Sequence, residues 1–172
     1  MAYGFEVDKR WSDKFLPEIK SILGTCLISE APITDDRERN TDLIVLTMAP
    51  FRIACRVRKY TYFARYPGQF TIRASRPSGS KTELAKIVEG WGDYLFYGFA
   101  DDSDSCLHAW GLGSLNIFRL WFNTQIVKNR GALPGAEKSN GDESSKFRAF
   151  GWSDIWKDFV IASHNIPGVP TL

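Results

Sequence analysis

Residues 52–60 read RIACRVRKY, and the fold turns on whether this stretch is a strand. Successive side chains of a β-strand point to opposite faces. Ile53, Cys55 and Val57 then share one side, and Arg52, Ala54, Arg56 and Arg58 share the other. The first set reads as the core face of a half-buried strand. The second sets three arginines on one face with no acid in the stretch.

Working outward, DLIVLT (42–47) reads as a buried strand and MAPF (48–51) as a tight connection. RIACRVRKY is therefore expected as the hairpin partner of 42–47, with QFTIRAS (69–75) as a third adjacent antiparallel strand. TELAKIVEGWG (82–92) puts Leu84, Ile87 and Val88 on one helical face, which predicts a helix over 82–90 capped by Thr82 and stopped at Gly90. Upstream, Phe15, Ile19, Ile22, Leu23 and Cys26 repeat at helical spacing, with Pro17 suited to a first turn and Gly24 to a stop. CLI (26–28) reads as the start of a strand, and APITDDRERN (31–40) as a loop.

Downstream, YLFYGFA (94–100) and CLHAWGLGSL (106–115) read as strands, the first too apolar for a solvent-facing edge. IFRLWFNTQIV (117–127) reads as a helix burying Phe118, Leu120, Trp121 and Ile126. ALPGAEKSNGDESSK (132–146) is poor in hydrophobics and is expected as the longest flexible loop. FRAFGWSDIW and FVIASHN close the chain as strand, turn and strand. This order predicts an α/β or α+β fold, a mixed central sheet flanked by helices, in a single domain over 1–172.

A chain of 172 residues with 44% hydrophobic and 24% charged residues has the composition of a globular protein. It can bury about two-thirds of its unfolded surface. There is no secretory pattern at MAYGFEVDKRW and no run of about 18 apolar residues, so a cytoplasmic protein without a membrane span is expected. Cys26, Cys55 and Cys106 are expected as buried reduced thiols.

The net charge of +2 hides a segregation. From Met48 to Thr82 there are eight Lys or Arg and no Asp or Glu, whereas Asp93 to Asp104 holds four aspartates and no base. A basic segment of this kind is one that a polyanion can use, or else a solvated strand face. Tyr60, Tyr62, Phe63 and Tyr66 lie among the bases of KYTYFARYPG, placed to stack on unpaired bases or to anchor the segment on the core. No phosphate-binding G-x-x-x-x-G-K-[ST] loop occurs. GLG (111–113) is a weak fragment of a dinucleotide fingerprint, and His108 and His164 lack zinc spacing.

The order of a helix with Glu18, a strand headed by Asp42, RIACRVRK, TELAKIVEG and YLFYGFA resembles the PD-(D/E)XK nuclease superfamily over roughly residues 10–125. The run RIACRVR…QFTIRASRPSGSKTELAKIVEGWGDYLFYGF also looks like small proteins of tailed phages and prophages. The first resemblance implies a restriction-endonuclease-like core, with carboxylates holding Mg²⁺ or Mn²⁺. Where E-x-K is expected, however, this chain has Arg56-Val57-Arg58. Arginine cannot hold Mg²⁺, although Arg58 can take the electrostatic role of the family's lysine. Under the resemblance, Asp42, Glu18 and Glu83 are the candidate metal and catalytic carboxylates, with Lys81 or Arg58 as the cation.

The residues themselves favour a site without metal. They predict binding of DNA or RNA through Arg52, Arg56, Arg58, Lys59, Arg73 and Arg76, and the resemblances imply a phage-type protein in the host cytoplasm with lost or weak nuclease activity. Two alternatives are a metal-dependent endonuclease using helix-borne acids and a protein that binds a host protein. The candidate surface for the latter is DYLFYGFADDSDS (93–105).

Overall fold

The computed structural model describes residues 7, 10–30, 43–45, 52–75, 79, 81–139 and 145–170, with only the backbone at 25–30 and 43–45. The chain divides into two compact units, Met1–Pro50 and Phe51–Leu172.

In the first unit, helix α1 (Leu16–Leu27) leads into strand β1 (Ile28–Glu30). Pro17 sits in the first turn, where its missing N–H costs nothing. Glu18, also in that turn, suits the positive end of the helix dipole. The helix runs through Gly24 to Leu27 instead of stopping there. Phe15 and Ile19 are buried. Strand β2 (Leu43–Val45) pairs antiparallel with β1, Ile28 facing Val45.

The second unit contains β3 (Ile53–Arg58), α2 (Tyr60–Arg65), β4 (Gln69–Ser75), α3 (Glu83–Val88), β5 (Tyr94–Ala100) and β6 (Leu107–Ser114). Helix α4 (Leu115–Lys128) follows, then β7 (Ala136–Ser139), β8 (Lys146–Gly151) and β9 (Val160–His164). These strands make a four-stranded mixed sheet in the order β3-β5-β6-β9 and a three-stranded sheet in the order β4-β8-β7. The α/β class with a mixed sheet and flanking helices is as expected.

The strand pairing differs from expectation. RIACRVRKY is a strand, but it runs parallel to β5, with Arg56 opposite Tyr97 and Arg58 opposite Phe99. Among the described residues it pairs with neither β2, which joins β1, nor β4, which joins β8, and residues 42 and 46–51 lie outside them. The physical reason lies in β5, whose residues Leu95–Ala100 are all buried. A strand apolar on both faces takes a central position, and a parallel neighbour requires a long crossover. Residues 59–93, carrying α2, β4 and α3, provide one. The start of the pair is fixed by Arg52 and Asp93. Arg52 N–H donates to Asp93 Oδ2 at 2.8 Å, and Asp93 N–H donates to the Arg52 carbonyl at 2.8 Å.

The core lies where both sheets meet α4. Phe70 and Ile72 of β4, Leu95, Tyr97 and Phe99 of β5, and Phe150 of β8 pack with Leu115, Phe118, Trp121 and Phe122. Leu120, expected to point inward, is 58% exposed on the far side of α4. GLG (111–113) lies inside β6, where its glycines have a packing role. A Cβ at Gly111 would meet Trp152 at 2.7 Å, and one at Gly113 would run into the Phe159 ring.

Two further differences concern polar segments. The stretch 132–146, expected as a loop, carries β7, which pairs with β8. Cys55 and Cys106, expected to be buried, are exposed free thiols, whereas the Cys26 side chain lies outside the described residues.

Candidate nucleic-acid interface

The arginines of β3 share a face but not a fate. Arg52, at its start, lays its guanidinium over the exposed ring of Trp91 at 5.6 Å. Arg56 donates from Nη2 to Glu83 Oε2 at 2.5 Å and from Nη1 to the Thr71 carbonyl at 3.2 Å. Helix α3 supplies that acid at its first position, after the Thr82 side chain caps Ala85 N–H. The same Glu83 oxygen also accepts the Arg73 backbone N–H at 3.3 Å. Both side chains of the pair are about a fifth exposed, at 21% and 23%.

Arg58 meets no acid among the described residues. Its Nε donates to Tyr97 Oη at 3.3 Å and its Nη2 to Thr71 Oγ1 at 3.2 Å. Those two hydroxyls lie 3.0 Å apart. The rings of Tyr62 and Phe147 lie 5.3 and 5.5 Å from its guanidinium carbon, within cation–π range. Two oriented hydroxyls and two rings thus fix one half-buried cation in place.

Two clefts open beside this strand. The first, of about 250 Å³, is lined by Arg58, Arg65 and Lys138 together with Tyr62, Tyr66 and Phe147. The second, of about 370 Å³, is lined by Arg52, Arg56, Arg73, Lys81 and Lys86, with Glu83 and Trp91. Together the linings hold eight cations and one carboxylate, and that carboxylate is already paired with Arg56.

The expected site residues separate accordingly. Arg52, Arg56 and Arg73 face the second cleft and Arg58 the first. Lys81 lines the second cleft and pairs with Glu89. Lys59 lies exposed between β3 and α2 and lines neither cleft. Asp42 and Arg76 lie outside the described residues, and Glu18 sits on α1 of the first unit.

For Mg²⁺ or Mn²⁺ the second unit offers a poor donor set. Glu83, the one acid in the second cleft, faces a guanidinium and a backbone N–H instead of a vacant coordination position. Five basic side chains surround it. Among the described residues no group of three His, Cys, Asp or Glu could hold a metal ion. Glu83 alone, already engaged, does not make the carboxylate set that the nuclease resemblance implies, and Asp42 lies outside the described residues.

The aromatic run also separates. Within RKYTYFARY, residues YTYFAR (60–65) form the six-residue helix α2 where a strand end and loop were expected. Tyr62 and Tyr66, four apart, line the first cleft. Tyr60 and Phe63, three apart, turn toward His108, and Phe63 also meets Phe99. His108 is a packed histidine.

Arg65, Lys138, Thr71, Tyr97 and Phe147 were not assigned to the site from sequence. Tyr97 left a signal, being a ring with a polar tip in an otherwise apolar strand. Lys138 left none, because its place follows from the β7–β8 pairing.

The acidic segment 93–105 is not one surface. Leu95–Ala100 are buried strand, and Asp101 closes the β5–β6 turn. Its carboxylate accepts Ser103 Oγ–H at 2.5 Å, Ser105 N–H at 2.6 Å and Cys106 N–H at 3.1 Å. The Ser103 hydrogen bond, with these others, holds that carboxyl well below the usual carboxylate range.

Models of protein families, curated proteins and solved structures were compared with the chain, and none matches. Among the described residues no helix is long and apolar enough to cross a membrane.

Proposed function

We propose that this protein binds nucleic acid along the arginine face of β3, without metal-dependent cleavage through Glu83. One observation carries the reading: eight cations and a single, already neutralised acid line the two clefts flanking that strand. Such a surface attracts phosphates irrespective of base sequence, through counterion release. The exposed rings of Tyr62, Tyr66 and Trp91 favour unpaired bases over a duplex, since a stacked base must be free of its partner. The setting proposed with it is the cytoplasm of a phage host. The two exposed, unbridged thiols support a reducing compartment.

Fluorescence anisotropy with single- and double-stranded DNA and RNA across a salt series tests this. Single strands are expected to bind more tightly, with affinity falling steeply as salt rises. Absence of binding at low salt to every strand type would overturn the reading and favour a protein partner. Cleavage in Mn²⁺ or Mg²⁺ that Glu83→Gln abolishes would overturn the second half.

A further inference from the structure

The first cleft is compact, and its chemistry is more specific than that of a basic surface. Resting on the nucleic-acid reading, we infer that it is a seat for one nucleotide carrying a terminal phosphate monoester, with its base against Tyr62 and Tyr66.

Size is the first ground. About 250 Å³ lies just below the roughly 300–1,000 Å³ of sites for drug-sized ligands. That volume is closer to the size of one nucleoside phosphate than to that of a duplex.

Charge is the second ground. Arg58, Arg65 and Lys138 bring three positive charges to the cleft, and none of them pairs with an acid among the described residues. An internal phosphodiester carries one negative charge, whereas a terminal monoester carries about −1.5 to −2 at neutral pH. A half-buried guanidinium without a counter-ion costs desolvation energy that a bound dianion offsets.

Preorganisation is the third ground. Arg58 is already held by Thr71 and Tyr97 and flanked by two rings, so little side-chain entropy remains to be lost on binding. Arg65 and Lys138 are exposed and can adjust to the phosphate. Tyr62 and Tyr66, 49% and 44% exposed, offer ring area at the mouth of the cleft for a base.

The test uses the full chain and short oligothymidylates ending in 5′-phosphate, 3′-phosphate or hydroxyl only, read by anisotropy. Thymidine monophosphates, thymidine and inorganic phosphate serve as competitors. One phosphorylated end is expected to bind about tenfold or more tighter than the hydroxyl end, as one added charge-assisted contact implies. The matching monophosphate should compete far better than thymidine or inorganic phosphate. Arg65→Ala with Lys138→Ala, both at exposed positions, should abolish the preference, and Arg58→Lys should reduce it while keeping the charge.

Equal binding of all ends, unchanged in these variants, would overturn the seat while leaving strand binding intact. Binding of the monophosphate together with no binding of any oligonucleotide at low salt would uphold the seat for a free nucleotide and overturn strand binding. Competition by inorganic phosphate as strong as by the monophosphate would overturn the role of the base.

Discussion

Arg56 and Arg58 stand two residues apart on the same strand face, yet they are put to opposite uses. Arg56 meets Glu83 and a backbone carbonyl, so its charge is spent inside the fold, tying β3 to α3 and β4. Arg58 meets two hydroxyls and two rings, which orient it without neutralising it. Sequence alternation treats the two as equivalent. What separates them is which neighbour the crossover brings alongside, α3 with its acid or α2 with its tyrosines. A cation that is held in place but not neutralised is one available to a ligand.

The largest effect should come from breaking the neutralised half. Glu83→Ala strands a half-buried Arg56 and is expected to lower stability by about 2–3 kcal/mol, because removing one partner of a buried pair leaves an uncompensated charge. Arg56→Met combined with Glu83→Leu should recover most of that loss. Urea unfolding of Arg56→Met, Glu83→Leu and the double of the same two substitutions gives the coupling. Additive losses would show that the pair is not a structural unit.

On the other half, Tyr62→Ala should cost about 1–3 kcal/mol of single-strand affinity through lost stacking. Its ring is about half exposed, so the urea midpoint should stay nearly unchanged. Tyr62→Phe should retain binding, since the ring is the part in use.

A pH series sharpens the contrast further. The first cleft is lined by Arg58, Arg65 and Lys138 and by no histidine or carboxylate. The monoester is the group whose ordinary second pKa falls in the range of such a series. A monoester with a second pKa of about 6 loses charge as pH falls, so the end preference should shrink between about pH 7.5 and 5.5. Affinity for a hydroxyl-ended strand should stay flat over the same range.

The smallest effect belongs to the rim of the second cleft. Lys86→Ala is expected to lower the magnitude of the salt slope for single strands by about 0.7, with stability unchanged. Lys81→Ala should do less, because Glu89 already shares its charge.

Much of this was legible in the sequence, for reasons that also explain the misses. Alternation in 52–58 and 69–75 identified the strands because half-buried strands carry a period of two. Thr82 and the apolar spacing after it identified α3, and with it Glu83 as a side chain of interest. The pairing was not legible from MAPF, since short sequence separation favours a hairpin only where no better partner exists. The unbroken apolarity of YLFYGFA was the stronger signal. It marks a central strand, and a central strand recruits neighbours from far along the chain.

Helix α2 escaped because Tyr, Thr and Phe are poor helix formers and its N-cap, Lys59, makes no side-chain capping hydrogen bond. Tertiary contact of Phe63 with Phe99 and His108 holds it instead. The split between Arg56 and Arg58 could not be read at all, because Glu83, Thr71 and Tyr97 reach that face from three different elements.

The most direct measurement compares Arg56→Met and Arg58→Met in parallel, each assayed for its urea midpoint and for its affinity to a phosphate-ended single strand. Arg56→Met is expected to lose stability and, when folded, to keep most of its affinity. Arg58→Met is expected to keep its unfolding free energy within about 1 kcal/mol and to lose affinity about tenfold or more. Equal losses of both properties in the two variants would contradict the division of one strand face into a structural cation and a binding cation.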